Sequence, residues 1–150
     1  MTRMPTPSKL RRWSMAEWAV CLDAALLLPV TACALAFGEV QQTCAVVARW
    51  PMSSARCGGQ MLAPPRVVHL VAVVASVYGT QCLSSAIVAH AVLRRLGVAS
   101  ELVIGATGFG SQFRAHAWVE RDGMVIPGQS ASGYQPLHRF ARAATEGSPR

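Results

Sequence analysis

The stretch Arg114-Ala115-His116-Ala117-Trp118-Val119-Glu120-Arg121-Asp122-Gly123-Met124-Val125-Ile126 decides the fold. Residues 114–121 alternate in polarity, as a strand with one buried face does. Asp122-Gly123 supplies two residues that tolerate positive φ, which a type I′ hairpin turn requires. Met124-Val125-Ile126 is then the returning strand. Upstream, residues 100–105 (Ser-Glu-Leu-Val-Ile-Gly) form a short strand, and residues 107–112 a Gly-rich loop. A helix over 83–96 comes before them, opened by Cys82, with Arg94 and Arg95 in its last turn and Gly97 as C-cap. The order helix, strand, loop, strand, turn, strand predicts an α+β domain with a small antiparallel sheet.

Working toward the N-terminus, residues 67–77 are apolar enough for a buried helix, with His69 and Tyr78 as polar handles and Gly79-Thr80 as its end. Residues 51–65 hold Pro51, Gly58, Gly59, Pro64 and Pro65 and predict a loop or linker. Ser14 followed by Glu17 makes a capping box, so a helix starts there, and Pro29 is expected to kink or divide it. A second helix is expected over 39–50, stopped by Pro51. The expected organisation is an apolar helical region over 1–50, a linker over 51–65, the patterned core over 66–140 and a frayed tail over 141–150.

A length of 150 residues fits one domain, and 52% hydrophobic residues exclude an intrinsically disordered chain. Charged residues are only 14%, against roughly 25% in an average soluble domain. The net charge is +7, and Lys9 is the one lysine among 14 basic residues. These cations are scattered, with no Lys/Arg run interleaved with aromatics, so a solvated surface is expected and not a nucleic-acid footprint. Residues 24–38 carry no charge, follow Lys9, Arg11 and Arg12, and contain Ala34-Leu35-Ala36, which resembles a signal-peptidase site. Asp23 and Pro29 oppose a membrane helix, and 15 uncharged residues fall short of the ~20 that a span needs. A cytoplasmic domain with buried helices is expected, with membrane contact left open. Cysteines stand at 21, 33, 44, 57 and 82 without a Cys-x-x-Cys pair, and their spacing to the four histidines matches no zinc pattern. Most are expected to be reduced, buried and apolar in behaviour. The Gly105 to Gly110 segment lacks a lysine and is no phosphate cradle; a loop bordering a cleft is the other reading.

Cys82 stands apart because it opens a helix. Unpaired N–H groups and the positive end of the helix dipole stabilise a thiolate there. His116, 116 − 82 = 34 residues on, lies on a strand that can pack beside that helix start. An imidazole there would take the thiol proton and return it to a leaving group. A core cysteine and a satisfied structural histidine remain the plainer alternative. If the Asp122-Gly123 turn has two residues, cross-strand pairs sum to 245 and Gln129 faces His116. Gln129 would then orient the imidazole through its side-chain oxygen; alternatively it is exposed and a backbone carbonyl holds the ring. Glu120 shares the His116 face, two pairs away. Gln81 is either an oxyanion donor or a helix-cap neighbour, and Trp118 either shapes a groove or packs. His69 and His90 are expected to be structural and His138 to be on the surface.

Cys82-Leu83, the Leu93-Arg94-Arg95-Leu96-Gly97-Val98 helix end, Glu101-Leu102-Val103-Ile104-Gly105, Ala115-His116-Ala117-Trp118-Val119-Glu120 with Asp122-Gly123, and Tyr134-Gln135-Pro136-Leu137 together resemble the lasso-peptide leader-peptidase family. That family is a transglutaminase-like, papain-related group of cysteine peptidases. The resemblance covers roughly residues 80–129. It implies N-terminal helices followed by a core in which a helix-borne Cys packs on a small antiparallel sheet. It implies removal of the leader from a ribosomally made precursor, exposing an amine for a separate ATP-dependent, asparagine-synthetase-like cyclase. Cys82 would be the nucleophile, His116 the base and acid, and the Cys82 N–H part of the oxyanion hole, with no cofactor. Members often carry an Asp about twelve residues after the His; here that position is Gly128, which leaves Gln129 as candidate third member. No winged-helix-like recognition element is visible in the chain, so the resemblance implies a separate leader-binding partner. The alternative is a non-catalytic or membrane-associated scaffold of the same complex.

Overall fold

The computed structural model describes residues 13–51, 53, 61–79 and 82–140. Four helices come first: α1 (Met15–Phe37), α2 (Val40–Arg49), α3 (Pro64–Tyr78) and α4 (Cys82–Arg95). Four strands follow: β1 (Glu101–Thr107), β2 (Arg114–Arg121), β3 (Met124–Val125) and β4 (Gln135–Phe140). The architecture is α+β, as expected. The residues of the 141–150 tail, of most of the 51–65 linker, and Cys57 and Gln81 lie outside the described part.

The capping box at the head of α1 forms. Ser14 Oγ accepts the Glu17 N–H at 3.3 Å, and the Glu17 carboxylate accepts the Ser14 N–H at 2.7 Å. Pro29 does not divide the helix; α1 runs through it for 23 residues. The reason is packing: Leu27, Leu28 and Thr31 on either side of the proline are buried, and Thr31 Oγ1 donates to the Leu27 carbonyl at 2.7 Å. Burial on this scale outweighs the roughly 3 kcal/mol a proline costs a helix interior. The short helix α2 follows the expected bounds, between Glu39 and Trp50 as caps.

The helices α1, α3 and α4 and the inner face of the sheet share one core. It contains Val20, Leu27 and Leu28 of α1, Val67 and Val71 of α3, Ile87 and Val92 of α4, and Leu102, Ala117 and Val119 of the sheet. Glu17 of α1 is tied to Arg66 of α3 at 2.6 Å. Burial pushes the Glu17 carboxyl up, but the Ser14 N–H and the Arg66 guanidinium more than offset it and hold it below the usual range.

The sheet order is β3-β2-β1-β4, antiparallel throughout. Asp122 and Gly123 have φ of 53° and 76°, the positive pair a type I′ turn needs, and Arg121 pairs with Met124 as a two-residue turn demands. The fourth strand, β4, is not visible in the sequence pattern. It holds Pro136 and is almost wholly exposed, so no alternation marks it. It pairs with β1 through a shift between Ile104 and Gly105 that leaves Leu137 without a partner.

Candidate active site

Cys82 is the first residue of α4 and half-buried, at the helix head where its position in the sequence had put it. Helix α4 packs against β1 and β2. The helix ends as expected, with Gly97 at φ 80° and the Val98 N–H bonded back to the Leu93 carbonyl at 2.9 Å.

His116 lies in β2, paired with Gly105 of β1. Strand alternation puts Ala117 and Val119 into the helix-covered core, and His116, Trp118 and Glu120 on the other face. There His116 meets two rings. Its centroid lies 5.0 Å from Tyr134 and 6.2 Å from Trp118, nearly parallel to the latter. Among the described residues neither the Cys82 thiol nor the His116 imidazole makes a hydrogen bond. The structure thus groups His116 with Trp118 and Tyr134, and Cys82 with the head of the adjoining helix.

Trp118 is 1% exposed and forms the floor beneath His116, not an open groove wall. Its Nε1–H donates to Glu120 Oε1 at 2.8 Å. The other Glu120 oxygen accepts from Arg139 of β4 at 2.5 Å, and Arg139 also reaches Glu101 at 3.5 Å. Glu120 is therefore committed to Trp118 and Arg139 instead of His116. Glu120, and then Glu101, hold the Arg139 guanidinium firmly protonated, above its ordinary pKa.

The expected facing of Gln129 and His116 does not form. Strand β3 ends at Val125, and Gly128 has φ 102°, so the chain leaves the 245 register. The Gln129 Oε1 instead accepts the Val119 N–H at 2.8 Å, three residues along β2 from His116. Gln81 lies outside the described residues. His90 is buried and bonded to Ser100 Oγ at 3.0 Å, as a structural histidine should be, whereas His69 is exposed on α3. His138 is on the surface, edge-on to Phe140. Burial raises the Cys21 thiol to about 11 and raises Cys44 too, so both behave as apolar filler. Cys33 departs from the expectation and is exposed.

Sequence reasoning assigned no role to Tyr134, Gly105 or Arg139. Tyr134 sits 18 residues after His116, and its approach depends on how the segment between β3 and β4 folds over the sheet. Gly105 is needed because the indole lies on it: a Cβ there would stand 2.5 Å from Trp118 Cη2 and 2.6 Å from the Gln135 carbonyl. Next to this pair, a cavity of about 400 Å³ opens between the Gly108 to Phe113 loop and the start of β4. Phe109, Phe113 and the bulged Leu137 line it, and Phe109 is 94% exposed.

No curated protein and no solved structure matches the chain. A family model described as the transglutaminase-like superfamily matches residues 18–140. The match begins within α1 and ends with β4, so it takes in the N-terminal helices together with the sheet. With a cysteine at a helix head, that helix packed on an antiparallel sheet and a histidine on the second strand, the chain belongs to the transglutaminase-like superfamily.

Proposed function

We propose that the protein is a cysteine peptidase that removes the leader from a ribosomally made lasso-peptide precursor. The observation that carries the reading is Cys82 at the head of α4, on a helix packed against the strand that bears His116, within a superfamily built on cysteine chemistry. The Ala115-His116-Ala117-Trp118-Val119-Glu120 string and its Asp122-Gly123 turn support the narrower assignment to leader removal.

In this reading the Cys82 thiol gives its proton to His116 as its sulfur adds to the scissile carbonyl. The Cys82 backbone N–H and the dipole of α4 face the developing oxyanion. As the C–N bond breaks, His116 passes the proton to the departing amine, which is the new N-terminus of the core peptide. Water, deprotonated by His116, then releases the leader as a carboxylate and regenerates the thiol. His116 stands on the sheet face away from α4, beside Trp118 and Tyr134, so this reading requires that substrate binding bring the thiol and the imidazole together. Trp118 and Tyr134 hold the imidazole from one side, and the cavity lined by Phe109, Phe113 and Leu137 receives an apolar side chain of the precursor. A separate leader-binding protein delivers the precursor, and a separate ATP-dependent, asparagine-synthetase-like cyclase consumes the freed amine.

The test mixes the purified chain with a precursor and its leader-binding partner and reads products by mass spectrometry. One cut at the leader–core junction is expected, abolished by Cys82→Ala and by His116→Ala. Undiminished cutting by Cys82→Ala would sink the peptidase assignment.

A further inference from the structure

Helix α1 is apolar on two sides. One side, with Val20, Ala24, Leu27 and Leu28, is locked into the core. The other presents Met15, Trp18, Leu22, Leu26, Cys33 and Phe37 to solvent, at spacings of three, four, four, seven and four residues. Met15 is 78% and Phe37 93% exposed. These residues form one stripe along a helix of about 34 Å, and no charged residue interrupts it. Tyr78 extends the patch, since its hydroxyl reaches the Ala25 carbonyl at 3.1 Å. An uncharged stripe of this length marks an interaction surface.

Charge identifies what covers it. Arg3, Lys9, Arg11 and Arg12 precede the helix, and no acidic residue occurs before Glu17. The rings of Trp13 and Trp18 pair at the helix start, 5.4 Å apart, with the Arg66 guanidinium 5.6 Å from the Trp13 ring. Aromatic rings and cations beside an apolar stripe are the make-up of a helix that lies in a lipid headgroup layer. A second copy of the chain would bring another +7 charge and the same basic lead, so like charge opposes it, while an anionic bilayer complements both. By length and hydropathy α1 also passes as a membrane span. Spanning would pull its inner face out of the core, together with the buried Asp23, whose carboxylate accepts the Ser53 N–H at 2.7 Å.

We propose that α1 docks the folded protein onto an anionic phospholipid surface, lying in the plane of the membrane with the stripe from Met15 to Phe37 facing the lipid. The proposal is independent of the peptidase reading. The test is co-sedimentation of the full chain with vesicles of phosphatidylcholine alone and of phosphatidylcholine with phosphatidylglycerol. Binding is expected to the anionic vesicles, weakened by salt. Leu22→Asp with Leu26→Asp should lower partitioning roughly ten-fold or more. Phe37→Asp, at the far end of the stripe, is the second variant, and circular dichroism checks that each remains folded. Wild-type protein left in the supernatant would overturn the proposal, as would unchanged binding by the folded variants. Binding that resists high salt and alkaline extraction would show insertion instead. A dimer in solution that the aspartate variants turn into monomer would show that a second copy covers the stripe.

Discussion

At the scale of single residues, His90 carries the sharpest prediction. Burial, then the nearby Arg94 charge, depresses its pKa from 6.5 to about 4. The unfolded chain therefore takes up a proton near pH 6.5 that the folded chain refuses until about pH 4. Stability is complete above the unfolded value and falls as pH drops between the two, by on the order of 3 kcal/mol. Urea unfolding followed from pH 7.5 to 4 should show this loss, and His90→Gln should flatten it. Glu120 is a second case. Its carboxylate fixes the Trp118 indole, so Glu120→Ala leaves a buried N–H without an acceptor and should cost about 1–3 kcal/mol. The indole would also loosen beneath His116, so tryptophan fluorescence should shift along with the unfolding midpoint. Glu120 was legible as a residue sharing the His116 face, because strand alternation dictates that much. That it bonds Trp118 and Arg139 was not legible, because Arg139 arrives from β4, a strand without a pattern of its own.

At the scale of elements, local chemistry decided most boundaries. The capping box starts α1, the turn dipeptide joins β2 to β3, and Gly97 ends α4. Ser14→Ala removes one side of the box and should cost about 1 kcal/mol, read as a thermal midpoint about 2–4 °C lower. Gly105→Ala tests a non-local requirement. The added methyl meets both the Trp118 ring and the Gln135 backbone, neither of which can retreat freely, and should cost about 1–3 kcal/mol or more. A thermal melt of that variant checks it. Two expectations gave way: Pro29 does not divide α1, where core burial overrides a local breaker, and Gln129 does not face His116, because positive φ at Gly128 ends the register that would have carried it there.

At the scale of the molecule, the excess of apolar residues divides into two parts. One part builds a core that α1 shares with α3, α4 and the sheet. The other is the bare stripe of α1. Because α1 supplies Val20, Ala24, Leu27 and Leu28 to the common core, a fragment starting at residue 61 should not fold cooperatively. Each of the larger side chains contributes roughly 2 kcal/mol, against a total stability of about 5–15 kcal/mol. Circular dichroism melts and limited proteolysis of the fragment check this, and a sharp transition would contradict it.

The sequence by itself determined the α+β class, the placing of Cys82 at a helix head and of His116 on a strand, and the hairpin that follows. These depend on caps, turn residues and alternation, all of which act within a few positions of the chain. Only the tertiary structure decided that Pro29 stays within one helix, that β4 closes the sheet beside β1, and that Trp118 and Tyr134 gather around His116. It also decided which side of α1 is left uncovered. Those outcomes depend on contacts between segments far apart in sequence, where burial outweighs local preference.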